Sequence, residues 1–185
     1  MALALEFAST VRVDGHGGLT DDLSTPEGFA AWVEVGVGGE VEPDEALRQR
    51  VIELRWAVRS LFAHAARANE RLDTPHLLDF DRALKTVNDA AARVPRAARL
   101  EWTEQWTEQP RLRYEDSADA GDRLLATLAT AAIEFLASGT RAELRACPAP
   151  RCIRYFVKTH PRQEWCKPSC GNRARVSRHY HRAHD

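Results

Sequence analysis

The chain has 185 residues, 44% hydrophobic and 29% charged, with a net charge of −1. That is enough for one ordinary domain, or one with a small appendage, and it excludes a disordered polyelectrolyte. No apolar run approaches the ~20 residues that cross a bilayer, which excludes a membrane partner of that kind.

The opening, MALALEF, lacks the basic start and long apolar stretch of a secretory signal, so a cytoplasmic protein is expected. The segment through GHGGLTDDLSTP reads as a short helix or extended lead-in followed by a loop. In STPEGFAAWVEVGV a helix is predicted: Ser24 and Glu27 have capping-box spacing, or Thr25 caps with Pro26 at the first helical position.

The clearest helix is expected over 43–69. Leu47, Val51, Leu54, Val58, Leu61 and Ala65 recur at steps of four and three, with Arg48, Glu53, Arg55 and Arg59 assigned to the surface. Another helix is predicted over 74–92, with Leu77, Phe80, Leu84 and Val87 inward and Val94-Pro95 ending it. Alternation around Leu100–Trp102 and Leu112–Tyr114 predicts a small hairpin. A last body helix is expected over 119–137, with Leu124, Leu125, Leu128, Ala132, Ile133, Phe135 and Leu136 apolar and Gly139 just past its end.

Charge then divides the chain. Residues 141–185 carry eleven Lys/Arg against three Asp/Glu, or +8; residues 1–140 carry fifteen against twenty-four, or −9, and the two recover −1. All four cysteines lie in the basic part, as Cys147-x4-Cys152-x13-Cys166-x3-Cys170. Cytoplasmic chains disfavour disulfides, so clustered cysteines point to metal or redox chemistry. Two close pairs separated by a dozen or so residues suit one structural zinc, each pair spanning an edge of a tetrahedron. Four unligated buried thiols, a redox pair and an iron–sulfur cluster are the alternatives.

Between the pairs, Ile153–Val157 reads as a strand, 158–162 as a turn and 163–165 as the return. Pro168 and Ser169 start a helix that carries Cys170 in its first turn. His160, His179, His181 and His184 are placed outside the metal shell. The module offers few large apolar side chains, so a metal is needed to hold it folded. The fold class is therefore mainly α: a helical domain over 1–140 with a small β-hairpin, then a treble-clef-like zinc finger, hairpin plus helix, over 141–185.

The run Cys166-x3-Cys170-Gly171-Asn172-Arg173, preceded by Cys147-x4-Cys152, resembles the CGNR zinc finger over 147–182, with Trp165 before the third cysteine and a basic helix after the fourth. The body is similar to the ABATE domain that precedes this finger in bacterial stress-induced transcription regulators. That likeness rests on LEFASTVR, DDLSTPEGFAAWV, the long helix, the hairpin and the helix leading into ELRACPAPRC. The chain departs at Ser9-Thr10, where the family often has Asn-Thr. The resemblance implies a zinc-bound regulator of a stress response.

In the final helix, Arg175, Arg178 and Arg182 share a face, joined by His179, while Val176, Tyr180 and Ala183 lie on another, expected against the hairpin. Such a helix is ~24 Å long and of the diameter a DNA major groove admits. Four thiolates on a divalent ion contribute −2 and leave about +6 on the finger. The expected phosphate contacts are Lys158, Arg162, Lys167, Arg173, Arg175, Arg178 and Arg182. Arg173 has a second reading as a counter-charge to the thiolates, Gly171 as a close approach to the metal, and Asn172 as a knuckle hydrogen bond.

DNA is thus the expected partner, with RNA or an acidic protein as alternatives. The body is expected to sense a small-molecule effector or to form a homodimer. His16, His64 and His76 have no paired nucleophile, and Trp32, Trp56, Trp102 and Trp106 read as core, so catalysis is not expected.

Overall fold

The computed structural model describes residues 3–14, 18–36, 41–95, 97–104, 109–115 and 117–184. His16 and Trp106 lie outside the described residues, as do the side chains of Tyr114, His181, Arg182, Ala183 and His184. A short helix α1 (Leu3–Ala8) leads into a hairpin of β1 (Val11–Val13) and β2 (Leu19–Asp21) that the sequence had suggested only as a loop. There Asp14 Oδ1 accepts the Gly18 amide at 2.8 Å and closes the turn. Helix α2 (Pro26–Gly36) starts as the second capping reading expects, with Thr25 Oγ1 accepting the Gly28 amide.

The long helix α3 (Glu45–Ala65) is shorter than expected. Asp44 caps its first turn by accepting the Leu47 amide at 2.7 Å. At the other end Ala68 N donates to Ala63 O and Arg67 N to His64 O, a Schellman closure that requires a left-handed residue; Arg67 fills it at φ 48°. The helix predicted over 74–92 is divided. A 3-10 turn over Thr74–His76 is followed by an extended Leu77, and α4 (Phe80–Ala92) starts afresh on Asp79, which accepts the Arg82 amide. Its buried residues are Ala83 and Val87, whereas Phe80 and Leu84 are exposed rather than inward.

Strands β3 (Ala97–Glu101) and β4 (Arg111–Glu115) pair antiparallel with Leu100 opposite Leu112, as the alternation predicts. This hairpin stands in solvent, and Trp102, expected in the core, is 62% exposed. Helix α5 (Ala120–Ala137) is capped by Asp119 and ends in an extended Ser138; Gly139 begins a 3-10 turn over Gly139–Glu143. The last elements are β5 (Leu144–Ala146), β6 (Tyr155–Val157) and α6 (Pro168–His184).

Leu47, Val51, Leu54, Val58 and Phe62 of α3 form the middle of the core with Phe7 of α1, Phe29 of α2, Val87 of α4 and Leu128 of α5. Burying side chains of that size is worth about 1.5–3 kcal/mol each. The same core includes Leu144 of β5 and Tyr155 of β6, whose ring meets Phe62 edge-on at 5.7 Å. Body and finger therefore share one hydrophobic interior.

Two arginines lie inside it. Arg55 and Arg59, assigned to the surface from sequence, are each 0% exposed. Arg55 grips both oxygens of Asp21 at 2.5 and 2.6 Å, and its Nη1 reaches Thr10 Oγ1 at 3.3 Å. Thr10 is itself buried, and its hydroxyl donates to Phe7 O. That fork, helped by the Leu23 amide, holds the Asp21 carboxyl below its usual range against the burial that raises it. Arg59 pairs with Asp73 at 2.5 Å, donates to Ala8 O, and donates to Ile153 O at 2.7 Å. Burial pulls its pKa down from the ordinary arginine value, and Asp73 opposes that shift. Placing a hydrogen-bonded ion pair here joins two backbone carbonyls and a carboxylate from three separate segments.

Candidate metal centre

The four cysteines come from two small pieces of chain. Strands β5 and β6 pair with Leu144 opposite Val157, so the hairpin encloses the first cysteine pair. This corrects the expectation of a hairpin between the pairs: β6 turns back onto 144–146, not forward onto 163–165. The reason is backbone pairing, since Cys147 N donates to Arg154 O and Lys158 N to Glu143 O at the two ends of the ladder. Within the loop, Cys152 N donates to Ala149 O across Pro150 and Arg151. Proline followed by a residue with positive φ makes this a type II turn; Arg151 takes the left-handed seat at φ 60°.

The second pair sits at the start of α6. Pro168 occupies its first position, where a missing N–H costs nothing. Cys170 then lies in the first turn, as expected, with its amide donating to Lys167 O. Among the described residues, Cys147, Cys152, Cys166 and Cys170 form the one group with ligand atoms close enough for a metal ion; all four sulfurs lie within 4.8 Å of one another.

The spacing fits a single tetrahedral ion. Cys152 Sγ to Cys166 Sγ is 3.8 Å, Cys166 to Cys170 is 3.5 Å and Cys170 to Cys152 is 3.8 Å. Zinc–sulfur bonds of ~2.3 Å set tetrahedral sulfurs about 3.8 Å apart, whereas a disulfide needs about 2.05 Å. All four cysteines are free thiols. Their electrostatics also call for a cation. Hydrogen bonds from Cys152 and Cys166 push the Cys147 thiol down to about 2, and the same bonding, with burial, pushes Cys152 up to about 11 and raises Cys166 further. A divalent ion allows all four to be thiolates.

The CGNR run surrounds this centre. Arg173 Nη2 donates to Cys170 Sγ at 3.3 Å, so its counter-charge reading holds. Asn172 turns to Arg175, whose Nη2 donates to Asn172 Oδ1 at 2.5 Å, instead of to the knuckle. Gly171 makes room for Trp165: a β-carbon there would stand 2.9 Å from Trp165 Cδ1. Alanine is the better helix former by about 1 kcal/mol, yet overpacking against a rigid ring costs about 1–3 kcal/mol. Gly171→Ala should therefore lower the temperature at which zinc is released, measured with a zinc-binding dye during thermal unfolding.

Helix α6 turns Cys170, Gly171 and Ala174 inward, and these are its buried residues. Val176 and Tyr180, expected against the hairpin, are 70% and 60% exposed. The buried face is small and close rather than bulky, so the helix rests on Trp165 and the cysteines and leaves its larger side chains outside. Arg173, Arg175 and Arg178 are exposed on it, and Arg178 Nε donates to Ala174 O at 3.4 Å. Arg182 lies on the same helix, with its side chain outside the described residues. Lys158 is half-buried after β6, while Arg162 and Lys167 are exposed on the segment between β6 and α6. His160 Nδ1 accepts the Arg162 amide at 3.1 Å and His179 is exposed; neither joins the sulfurs.

Sequence reasoning missed the junction behind the metal. Tyr155 lies under two guanidinium groups, Arg71 at 4.4 Å and Arg59 at 5.1 Å from its ring. Desolvation and these cations act on it in opposite directions, and burial wins, raising its pKa. The signal was present in the second half of α3, where Trp56, Ala57, Val58, Leu61, Phe62 and Ala63 leave little polar face for Arg59.

No helix among the described residues is long and apolar enough to cross a membrane. No curated protein matches the chain. The ABATE family, described as "Putative stress-induced transcription regulator", matches residues 1–139, and the CGNR zinc finger matches residues 143–183. Neither is a family of enzymes. With three quarters of its length matched and its four cysteines positioned for one structural zinc ion, the chain belongs to the ABATE family and ends in a CGNR zinc finger.

Proposed function

We propose that the protein is a cytoplasmic, zinc-dependent, DNA-binding transcriptional regulator. Its finger holds DNA through α6, and its helical body over 1–140 senses a signal or forms a homodimer. Cys147, Cys152, Cys166 and Cys170 hold the ion, which supplies a fixed, redox-inert cross-link between the knuckle and the helix start. Arg175, Arg178 and Arg182 then meet phosphates along one side of α6, with Lys158, Arg162 and Lys167 beside its base and Arg173 divided between Cys170 and the DNA.

The observation that carries this reading is the helix itself. From Arg175 to Tyr180 it is exposed except at the half-buried Ser177, its sequence bears arginines at steps of three and four, and its base is fixed by the metal ligands. The exposure of Val176 and Tyr180 favours a second reading, a protein or RNA partner, because apolar side chains on such a helix also suit stacking or a protein groove.

Fluorescence anisotropy with the full-length, zinc-loaded chain and random duplex DNA tests the first reading. Binding should weaken linearly in log–log with salt, by about 0.9 per phosphate neutralised. Arg175→Ala and Arg178→Ala should each reduce that slope by about 1. No binding at low salt rejects it, and retention of single-stranded RNA or an acidic protein in its place establishes the second.

A further inference from the structure

A cavity of about 700 Å³ opens between the loop that follows α3 and the metal knuckle. One wall is residues 66–72, and the other is residues 146–152, which carry two of the four cysteines. The volume is that of a small-molecule site, and a junction between two units is where such sites occur.

Two residues set it apart. Arg67 and Arg151 are the described non-glycine residues with positive φ, at 48° and 60°, and they line this one cavity from opposite walls. Each sits where its turn needs a left-handed residue, the Schellman closure of α3 and the type II turn of the knuckle. The turns account for the backbone but not for arginine, since glycine or asparagine fits both seats with less strain. Strained non-glycine residues gather at ligand clamps. Neither guanidinium has a hydrogen bond or ion pair among the described residues. Arg71 also lines the cleft, with its guanidinium paired to Asp73 at 3.5 Å, and Glu70 is the one carboxylate among the lining residues. Cys147 and Cys152 belong to the lining too, but at 2% and 7% exposed they show the cleft little of the negative metal centre, and Arg173 sits on Cys170. Leu72, Pro148 and Pro150 give the cavity apolar surface.

We propose that this cleft binds a small organic anion, its carboxylate or phosphate held between Arg67 and Arg151 and its apolar part against Leu72, Pro148 and Pro150. Because one wall continues α3 and the other carries metal ligands, the bound anion ties the body to the base of α6. The site stands on the geometry of the cleft and does not require that the finger bind DNA.

Isothermal titration of the full-length, zinc-loaded chain tests it, with phenyl phosphate and benzoate as anionic probes and benzyl alcohol as the neutral control. One or both anions should bind with one-to-one stoichiometry, which identifies the preferred head group, and benzyl alcohol should not. Arg67→Gly and Arg151→Gly should each weaken binding by about tenfold or more, while melting at or above the parent temperature, because glycine relieves both turns. A structural role for the arginines predicts the reverse, lower melting and unchanged affinity. If glycine loosens either turn, R67N and R151N carry the same test. Failure of both anions to bind at about 10 mM, or equal affinity in the variants, overturns the proposal.

Discussion

Cys170→Ser should strip the protein of zinc and melt α6 while leaving the helical body folded. Cys170 is fully buried and contributes one of four sulfurs that lie within 4.8 Å of one another. Beyond these sulfurs, the finger's second cluster contains only Ala149 and Phe156 as buried members, with Trp165 against them. That apolar surface is too small to order the seventeen residues of α6 without a cross-link. Structural zinc in finger-sized peptides contributes on the order of 10–16 kcal/mol near neutral pH, far more than the contacts of Trp165. The measurements are the zinc content of purified protein and the helical signal by circular dichroism. Zinc should fall from one ion per chain to well below one, and the helical loss should match α6 alone. Full zinc retention, or unfolding of the whole chain, contradicts the assignment of a local structural ion. A strong chelator applied to the unmutated protein should reproduce the loss.

Arg59→Met should be the most destabilising single change in the body, by about 3 kcal/mol, because it takes from the buried Asp73 its 2.5 Å partner and leaves only Arg71, at 3.5 Å. Arg59 and Asp73 are both 0% exposed, and Arg59 also satisfies the carbonyls of Ala8 and Ile153. Removing both charges differs in kind from removing one. An apolar pair of similar volume, Arg59→Met with Asp73→Leu, avoids the stranded carboxylate and should recover much of the loss. Urea denaturation of the parent, the two single variants and the double variant completes the cycle. Additive single effects would show that the pair is not coupled. Because Ile153 follows Cys152, the single variant should also lower the temperature of zinc release, which a defect confined to the body would leave unchanged.

How far these features were readable from the chain depended on the kind of signal. The cysteine centre was legible because its ligands are short-range pairs of a rare residue, and sulfur chemistry narrows the choice of ion. The cap of α2 was legible because Thr25 acts within three residues of itself. Arg55 and Arg59 were not, because a charge in a helical pattern reads as solvent-facing until its partner is known, and Asp21 and Asp73 come from other elements. The partner of β6 was not legible either. Three-residue strands carry too little alternation to choose between two neighbours, and the ladder was decided by bonds at its ends. The orientation of α6 was misread for a related reason: Val176 and Tyr180 have the spacing of a buried stripe, but the covered face is built from Cys170, Gly171 and Ala174, whose small side chains leave no hydrophobic signature.

The boundary between the two matched families falls at residues 139–143, within a 3-10 turn, but solvent does not follow it. Leu144 and Tyr155, on the finger side, close the interior that α1, α3 and α5 build. Swivelling the metal-bearing unit as a bead on a string would bring Leu144 and Tyr155 into water. The direction in which the terminal prong points therefore carries the same energetic cost to change as the opening of that interior.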